Sequence, residues 1–178
     1  MSAPDQPTSR RVLGIDPGGT TGFCLLWHDN DTYGRQLWQQ KITPKELSEL
    51  LGKLVGEYRA AGIDLVVACE GFVVGRRAAR SKHQQGGQLA RDLIGAVKGA
   101  AVPAVYRSAN QVKLWATDRR MALLFPDGAD VFRGKGHAKD GARHALYAAV
   151  VDLHWPDPMV TADLYLDLTE TLASGGLG

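Results

Sequence analysis

The sequence predicts an α/β domain on a mixed sheet of five strands flanked by helices. Three observations carry this. Two continuous apolar runs, RRVLGID (10–16) and DLVVACE (64–70), each end on an acid and read as buried strands. Short turns join the first of them to two further strand-like runs, which suggests an antiparallel meander. Beyond residue 43, helical stripes alternate with short apolar runs, the order that links strands by crossovers.

The elements follow in order. After 10–16, TTGFCLLW (20–27) reads as the second strand, HDNDTYG (28–34) as a turn and RQLWQQKI (35–42) as the third strand. Thr43 can cap a helix, Pro44 suits its first turn, and Glu46 stands three residues after the cap. Leu47, Leu50, Leu51, Leu54 and Tyr58 form its apolar stripe, and Gly62 ends it. Strand 64–70 follows, then a glycine-rich basic loop (71–87) and a helix over 87–100 through Leu89, Leu93, Ile94 and Val97. VPAVYRS (102–108) is the fifth strand. Short helices are predicted near 109–116 and 118–125, and a last helix over 137–154. Residues 1–10 read as a flexible lead-in, 11–154 as the domain and 155–178 as an acidic appendage or tail.

The bulk numbers bound the function. With 178 residues, 44% apolar and 22% charged, the chain suits one globular domain with a sizeable core. No apolar run is long enough to span a bilayer, and the first residues lack the apolar centre of a secretory signal. Cys24 and Cys69 both lie in apolar stretches and read as buried free thiols, which points to a reducing, cytoplasmic setting. Net charge is +2, yet its distribution is uneven: no Lys or Arg follows residue 151, whereas Asp152, Asp157, Asp163, Asp167 and Glu170 do. Arg76, Arg77, Arg80, Lys82 and Arg91 fall within 71–91, where there is no acid. Such a loop suits a polyanionic partner, or is a solvated basic loop.

Asp16 and Glu70 end two strands that would be parallel neighbours. Sites in open α/β sheets gather at the carboxyl ends of strands. Either acid alone is explained by capping a turn; two placed side by side repel unless a cation lies between them. In GKGHAKDGARHAL, His137 and Asp140 stand three apart and share one helix face. Three carboxylates and one imidazole make a hard oxygen-rich site suited to Mg²⁺ or Mn²⁺, with two ions able to clamp an in-line displacement at a phosphodiester. His144, two turns beyond His137 on that face, is read as a surface residue rather than a supporting group.

GIDPGGTTG, ACEGF, SANQVK and HAKDGARHAL, in that order and spacing, resemble the RuvC family of Holliday junction resolvases, from about Val12 to about Leu153. The resemblance implies an RNase H-like fold, a homodimer and Mg²⁺-dependent nicking of four-way DNA junctions. It carries over to Asp16, Glu70, His137 and Asp140 as catalytic and metal-binding residues, and to Lys113 as a DNA contact. It implies a branch-migration motor as partner in a bacterial host; a stand-alone or phage-encoded member would lack one. Three departures stand out. Phe72 lies one position nearer the glutamate than the family's junction-probing aromatic. Gly141 replaces the usual alanine. The family's second basic contact has no fixed counterpart, with Arg119, Arg120, Arg133 and Lys135 as candidates.

The expected chemistry is two-metal hydrolysis that leaves 5′-phosphate and 3′-hydroxyl ends, with His137 as a ligand or proton carrier. Arg76, Arg77, Arg80, Lys82 and Lys113 would hold phosphates without reading sequence. Helix 87–100 could serve a dimer interface or only the core. A kinase or ATPase of the actin-like class also opens with an acid-Gly-Thr loop, but needs two such domains. A flap, branched-DNA or RNA–DNA hybrid nuclease shares the acid set. A junction-binding module without catalysis would not need it.

Overall fold

The computed structural model describes residues 9–71, 84–125 and 131–160. Its sheet contains β1 (Arg10–Asp16), β2 (Thr21–Asp29), β3 (Thr32–Gln40), β4 (Asp64–Glu70) and β5 (Ala104–Arg107). The spatial order is β3-β2-β1-β4-β5. β1, β2 and β3 pair antiparallel, while β4 lies parallel to β1 and β5 parallel to β4. This is the RNase H-like arrangement, and the five expected strands are all present.

The helices are α1 (Pro44–Ala60), α2 (Gln84–Gly99), α3 (Ala109–Trp115), α4 (Asp118–Leu124) and α5 (Gly136–Tyr147). α1 starts as expected: the Thr43 hydroxyl accepts from the Glu46 amide, and the Glu46 carboxylate accepts from the Thr43 amide at 2.8 Å. The Ser108 and Thr117 hydroxyls cap α3 and α4 by accepting from the Gln111 and Arg120 amides. α5 ends at Tyr147 and passes into a π-helical turn (Ala148–Asp152), so the long helix expected over 137–154 changes character near its middle.

Two boundaries differ from expectation. The turn expected over 28–34 shrinks to Asn30 and Asp31, both at positive φ (50° and 60°), and β2 and β3 extend up to it. This is a two-residue hairpin turn of the kind that suits twisted strands, built from residue types that tolerate the left-handed region. The second is α2, which begins at Gln84 and not at 87.

Alternate residues of the strands face opposite layers. Leu13, Ile15, Phe23, Leu25, Val67 and Cys69 pack against α1 and α2. Val12, Cys24, Leu26 and Ala68 pack against α3, α4 and α5. Leu93, Ile94 and Val97 of α2 are buried within the first of these layers, so its apolar stripe is accounted for by the core. Both cysteines are free and buried, which pushes their thiols well above the usual range. Among the described residues no helix is long and apolar enough to cross a membrane.

The junction of α5 with the sheet is unusually close. A Cβ on Gly22 would meet the His137 carbonyl, and one on Gly14 would meet the Gly141 carbonyl and the Ala145 amide. A Cβ on Gly141 would lie 3.0 Å from the Gly22 carbonyl oxygen, so the glycine found there in place of alanine allows a tighter seat. In contrast, Gly52 and Gly56 of α1 have open space where a Cβ would go. Gly52→Ala and Gly56→Ala should each stabilise the protein by about 0.5–1 kcal/mol, read as a rise in urea midpoint at unchanged slope.

The first residues of the expected tail are held. Trp155 packs near His28 and Tyr33, the Tyr33 hydroxyl donates to the Pro156 carbonyl at 2.6 Å, and Asp157 pairs with Arg120 at 3.2 Å. Asp152 pairs with Arg107 at 2.7 Å.

Candidate metal centre

β1 and β4 pair in register as far as Ile15 with Cys69, so Asp16 and Glu70 occupy the next position on each strand. Neighbouring strands lie ~4.8 Å apart, and equal register in a parallel pair sends both side chains to the same face. The expected side-by-side carboxylates follow from this geometry, and each influences the other's ionisation. Asp16 is 8% exposed. Pro17, Gly18 and Gly19 turn the chain into β2, and the Thr21 hydroxyl donates to the Gly18 carbonyl at 3.2 Å, tightening that turn. Thr21 is thus buried and structural, as expected of a strand residue.

α5 delivers the remaining groups. His137 Nδ1 lies 2.8 Å from Asp16 Oδ2. With Nδ1–H donating to that oxygen, Nε2 keeps its lone pair. Asp140, one turn on, receives Lys113 Nζ at 2.8 Å on one oxygen and Arg143 Nη1 at 2.6 Å on the other. Arg143 also reaches Asp118 at 2.6 Å. Lys113, expected at DNA, therefore stands beside the candidate acids, carried there by α3.

The electrostatics match this crowding. Burial pushes the Asp16 carboxyl up to about 7; His137 pulls it down and the adjoining Glu70 adds to the rise. Glu70 lies below the usual range, chiefly through His144, with burial opposing. Burial alone would raise Asp140, but Lys113 and Arg143 hold it below the usual range. Chain groups thus occupy the acids: the His137 imidazole lies against Asp16, and Lys113 and Arg143 pair with Asp140. The donors, carboxylates with one imidazole, fit Mg²⁺ or Mn²⁺ in kind. Among the described residues no three His, Cys, Asp or Glu side chains yet share a ligand position. Asp140 would have to part from Lys113 to join a common ion.

His144 corrects the surface reading. It is 3% exposed, and its Nε2 lies 3.8 Å from Glu70 Oε2. The available signal was its spacing of four from Asp140, which places both on one helix face. Arg143 went unremarked as well, although its spacing of three from Asp140 predicts the ion pair. Phe72, Arg76, Arg77, Arg80 and Lys82 lie outside the described residues. Of the candidates for a second basic contact, Arg120 stacks over Trp115 at 4.3 Å and pairs with Asp157, while Lys135 is exposed just before α5. A cleft of roughly 530 Å³ opens beside Arg10, Asp64 and Pro103, at the opposite end of the parallel strands from the acids.

No protein-family model matches the chain, and no curated protein does. Solved structures similar to it include three resolvases. Thermus thermophilus RuvC in complex with a Holliday junction substrate is 21% identical, with a TM-score of 0.49 over 79% of this chain and 96% of that one. A second Thermus thermophilus RuvC structure is 20% identical, with a TM-score of 0.48 over 78% and 93%. The yeast mitochondrial Holliday junction resolvase Ydc2 is 16% identical, with a TM-score of 0.36 over 96% and 87%. The strand order and strand directions of this chain are themselves those of an RNase H-like fold.

Proposed function

We propose that the chain is a divalent-metal-dependent DNA endonuclease that nicks four-way junctions. The observation that carries this reading is the placing of Asp16 and Glu70 at adjacent strand ends, with His137 Nδ1 2.8 Å from Asp16 and Asp140 one turn along α5. A buried carboxyl pair of this kind stabilises the fold poorly by itself and calls for positive charge. The choice of a junction over other DNA shapes rests on the motif resemblance of the sequence.

Asp16, Glu70, Asp140 and His137 would hold two Mg²⁺ or Mn²⁺ ions. When bound, such ions lower the pKa of water and neutralise charge on a leaving oxygen. The chain's own groups do the rest. His137, with Nδ1 engaged by Asp16, offers Nε2 either as a ligand or as acceptor of a proton from the attacking water. Water attacks phosphorus, the bond to the 3′ oxygen breaks, and the products carry 5′-phosphate and 3′-hydroxyl ends. Lys113, now bound to Asp140, would turn to a DNA phosphate as Asp140 takes up its ligand role. Arg76, Arg77, Arg80 and Lys82 would extend the phosphate-binding surface, and Phe72 would reach the junction centre. A homodimer would set two such sites on opposed strands.

Lys113→Ala should weaken junction binding across all sequences and reduce the slope of log affinity against log salt by about 1, read by fluorescence anisotropy in EDTA. The reading as a whole is tested by a substrate panel. Wild-type protein and Asp16→Asn are given four-way junctions, forks, flaps and RNA–DNA hybrids in Mg²⁺ and in Mn²⁺. Wild-type nicking of the four-way junction, lost in Asp16→Asn, is expected. Equal or faster cleavage of flaps or hybrids would move the chain to a broader nuclease class. Junction binding without cleavage in either metal would make it a binding module.

A further inference from the structure

We propose that His144 is a positioning residue: its imidazole donates from Nε2 to the Glu70 carboxylate and fixes the oxygen that Glu70 offers to a divalent ion. This rests on the reading of Glu70 as a metal ligand. The buried face of α5 is otherwise made of Ala138, Gly141, Ala142, Ala145, Leu146 and Tyr147. Tyr147 has its polar partner, since Gln111 Nε2 donates to its hydroxyl at 3.1 Å. An imidazole in this layer costs free energy unless its N–H is satisfied, and an apolar side chain would fill the place without that cost. The ionic neighbour of His144 among the described residues is Glu70, at 3.8 Å from Nε2 to Oε2. That separation exceeds a formed hydrogen bond, so the proposed donation requires one of the two side chains to turn toward the other.

The placement has a consequence for ion binding. Glu70 ends its strand and is only partly buried, so its carboxylate has rotational freedom that binding an ion would remove. It stands beside Asp16, which holds the equivalent position on β1. An N–H on the other side leaves fewer orientations, which lowers the entropy lost on ligation. Ligating carboxylates are commonly held by such outer partners, whose removal costs about 10–100-fold in metal affinity or activity.

The test uses the full chain as wild type, His144→Leu and His144→Gln. Mn²⁺ binding is followed by calorimetry, junction nicking as a function of metal concentration, and folding by thermal unfolding. His144→Leu should weaken Mn²⁺ binding by about 10–100-fold and raise the metal concentration for half-maximal nicking by the same factor. Junction binding in EDTA should be unchanged. His144→Gln, which keeps an N–H donor, should recover most of the affinity. Ring-nitrogen NMR of the metal-free wild type should show the Nε2–H tautomer of His144. A wild-type affinity in a folded His144→Leu, a His144→Gln no better than His144→Leu, or the Nδ1–H tautomer would each overturn the proposal. If the wild type binds Mn²⁺ but leaves junctions intact, the nuclease reading fails while the affinities still decide this one. If the wild type binds no Mn²⁺, both fall.

Discussion

Asp16→Asn should abolish nicking and, without metal at alkaline pH, yield a more stable protein. The activity loss should exceed the ~10–100-fold that removing an outer partner of a metal ligand costs, because Asp16 stands at the centre of the donor set. The stability gain follows from linkage. The Asp16 carboxyl is pushed from 3.8 in the unfolded chain up to about 7 in the folded one, by burial first, with His137 opposing and Glu70 adding. Between those values the folded state binds the proton and the unfolded state does not. Stability therefore falls as pH rises from about 4 to about 7 and stays reduced above it. Glu70 works the other way: its lowered pKa adds stability above its unfolded value of 4.5, which is lost on acidification. Near pH 8 the ionised Asp16 therefore carries a penalty, which Glu70 opposes. Asparagine cannot ionise and should relieve that penalty in EDTA, with a higher Tm. Added Mg²⁺ should raise the wild-type Tm at pH 8, raise it less at pH 5, and leave Asp16→Asn unmoved. Thermal unfolding at the two pH values, with and without Mg²⁺, gives all of these outcomes. An Asp16→Asn protein less stable than wild type in EDTA at pH 8 would contradict the charge crowding.

Gly22→Ala should damage both stability and activity, although a single methyl is added. That methyl would fall on the His137 carbonyl, and the neighbouring Ala138 amide stands close as well. Backbone cannot step aside as a side-chain end can, so α5 must lift from the sheet. The cost should be ~3 kcal/mol or more, beyond the usual range for an added methylene in a core. His137 and Asp140 ride on the same turn, so the His137–Asp16 contact at 2.8 Å would open. Activity should fall further than the folded fraction does, which separates displacement of the site from simple unfolding. Circular dichroism for the folded fraction and nicking per folded molecule supply the comparison.

The glycine contacts show where sequence reasoning succeeded and where it stopped. Gly22 followed an acid and two threonines at the start of a strand, and close backbone approach could be expected there. That the approaching backbone is α5 could not, because it lies more than a hundred residues away. The same distinction runs through the site. Asp16 and Glu70 were legible because strand period and strand ends are local properties, and parallel pairing converts them into neighbours. The Thr43 cap was legible for the same reason. His144 was not, since the periodicity of α5 puts it on the face of Asp140 but does not say whether that face meets solvent or another element. The turn at Asn30–Asp31 was drawn too long because it contains no glycine; two residues that tolerate positive φ suffice. Lys113 could be marked as a cation in a recognisable segment, but its seat on Asp140 depends on how α3 crosses α5.

That seat also bears on how the site would be filled. Lys113 and Arg143 neutralise Asp140, and the His137 imidazole lies against Asp16, so both acids already have partners within the chain. A divalent ion at Asp140, as proposed, would have to displace Lys113, and a DNA phosphate would offer that lysine a new partner. Metal and DNA should accordingly favour each other's binding through this one side chain.

Anomalous diffraction from crystals grown with Mn²⁺ is the sharpest measurement. An anomalous peak in contact with both Asp16 and Glu70, with His137 or Asp140 completing its shell, is the expected result. Mn²⁺ absent from these carboxylates while the protein still nicks junctions would contradict the assignment of the metal centre.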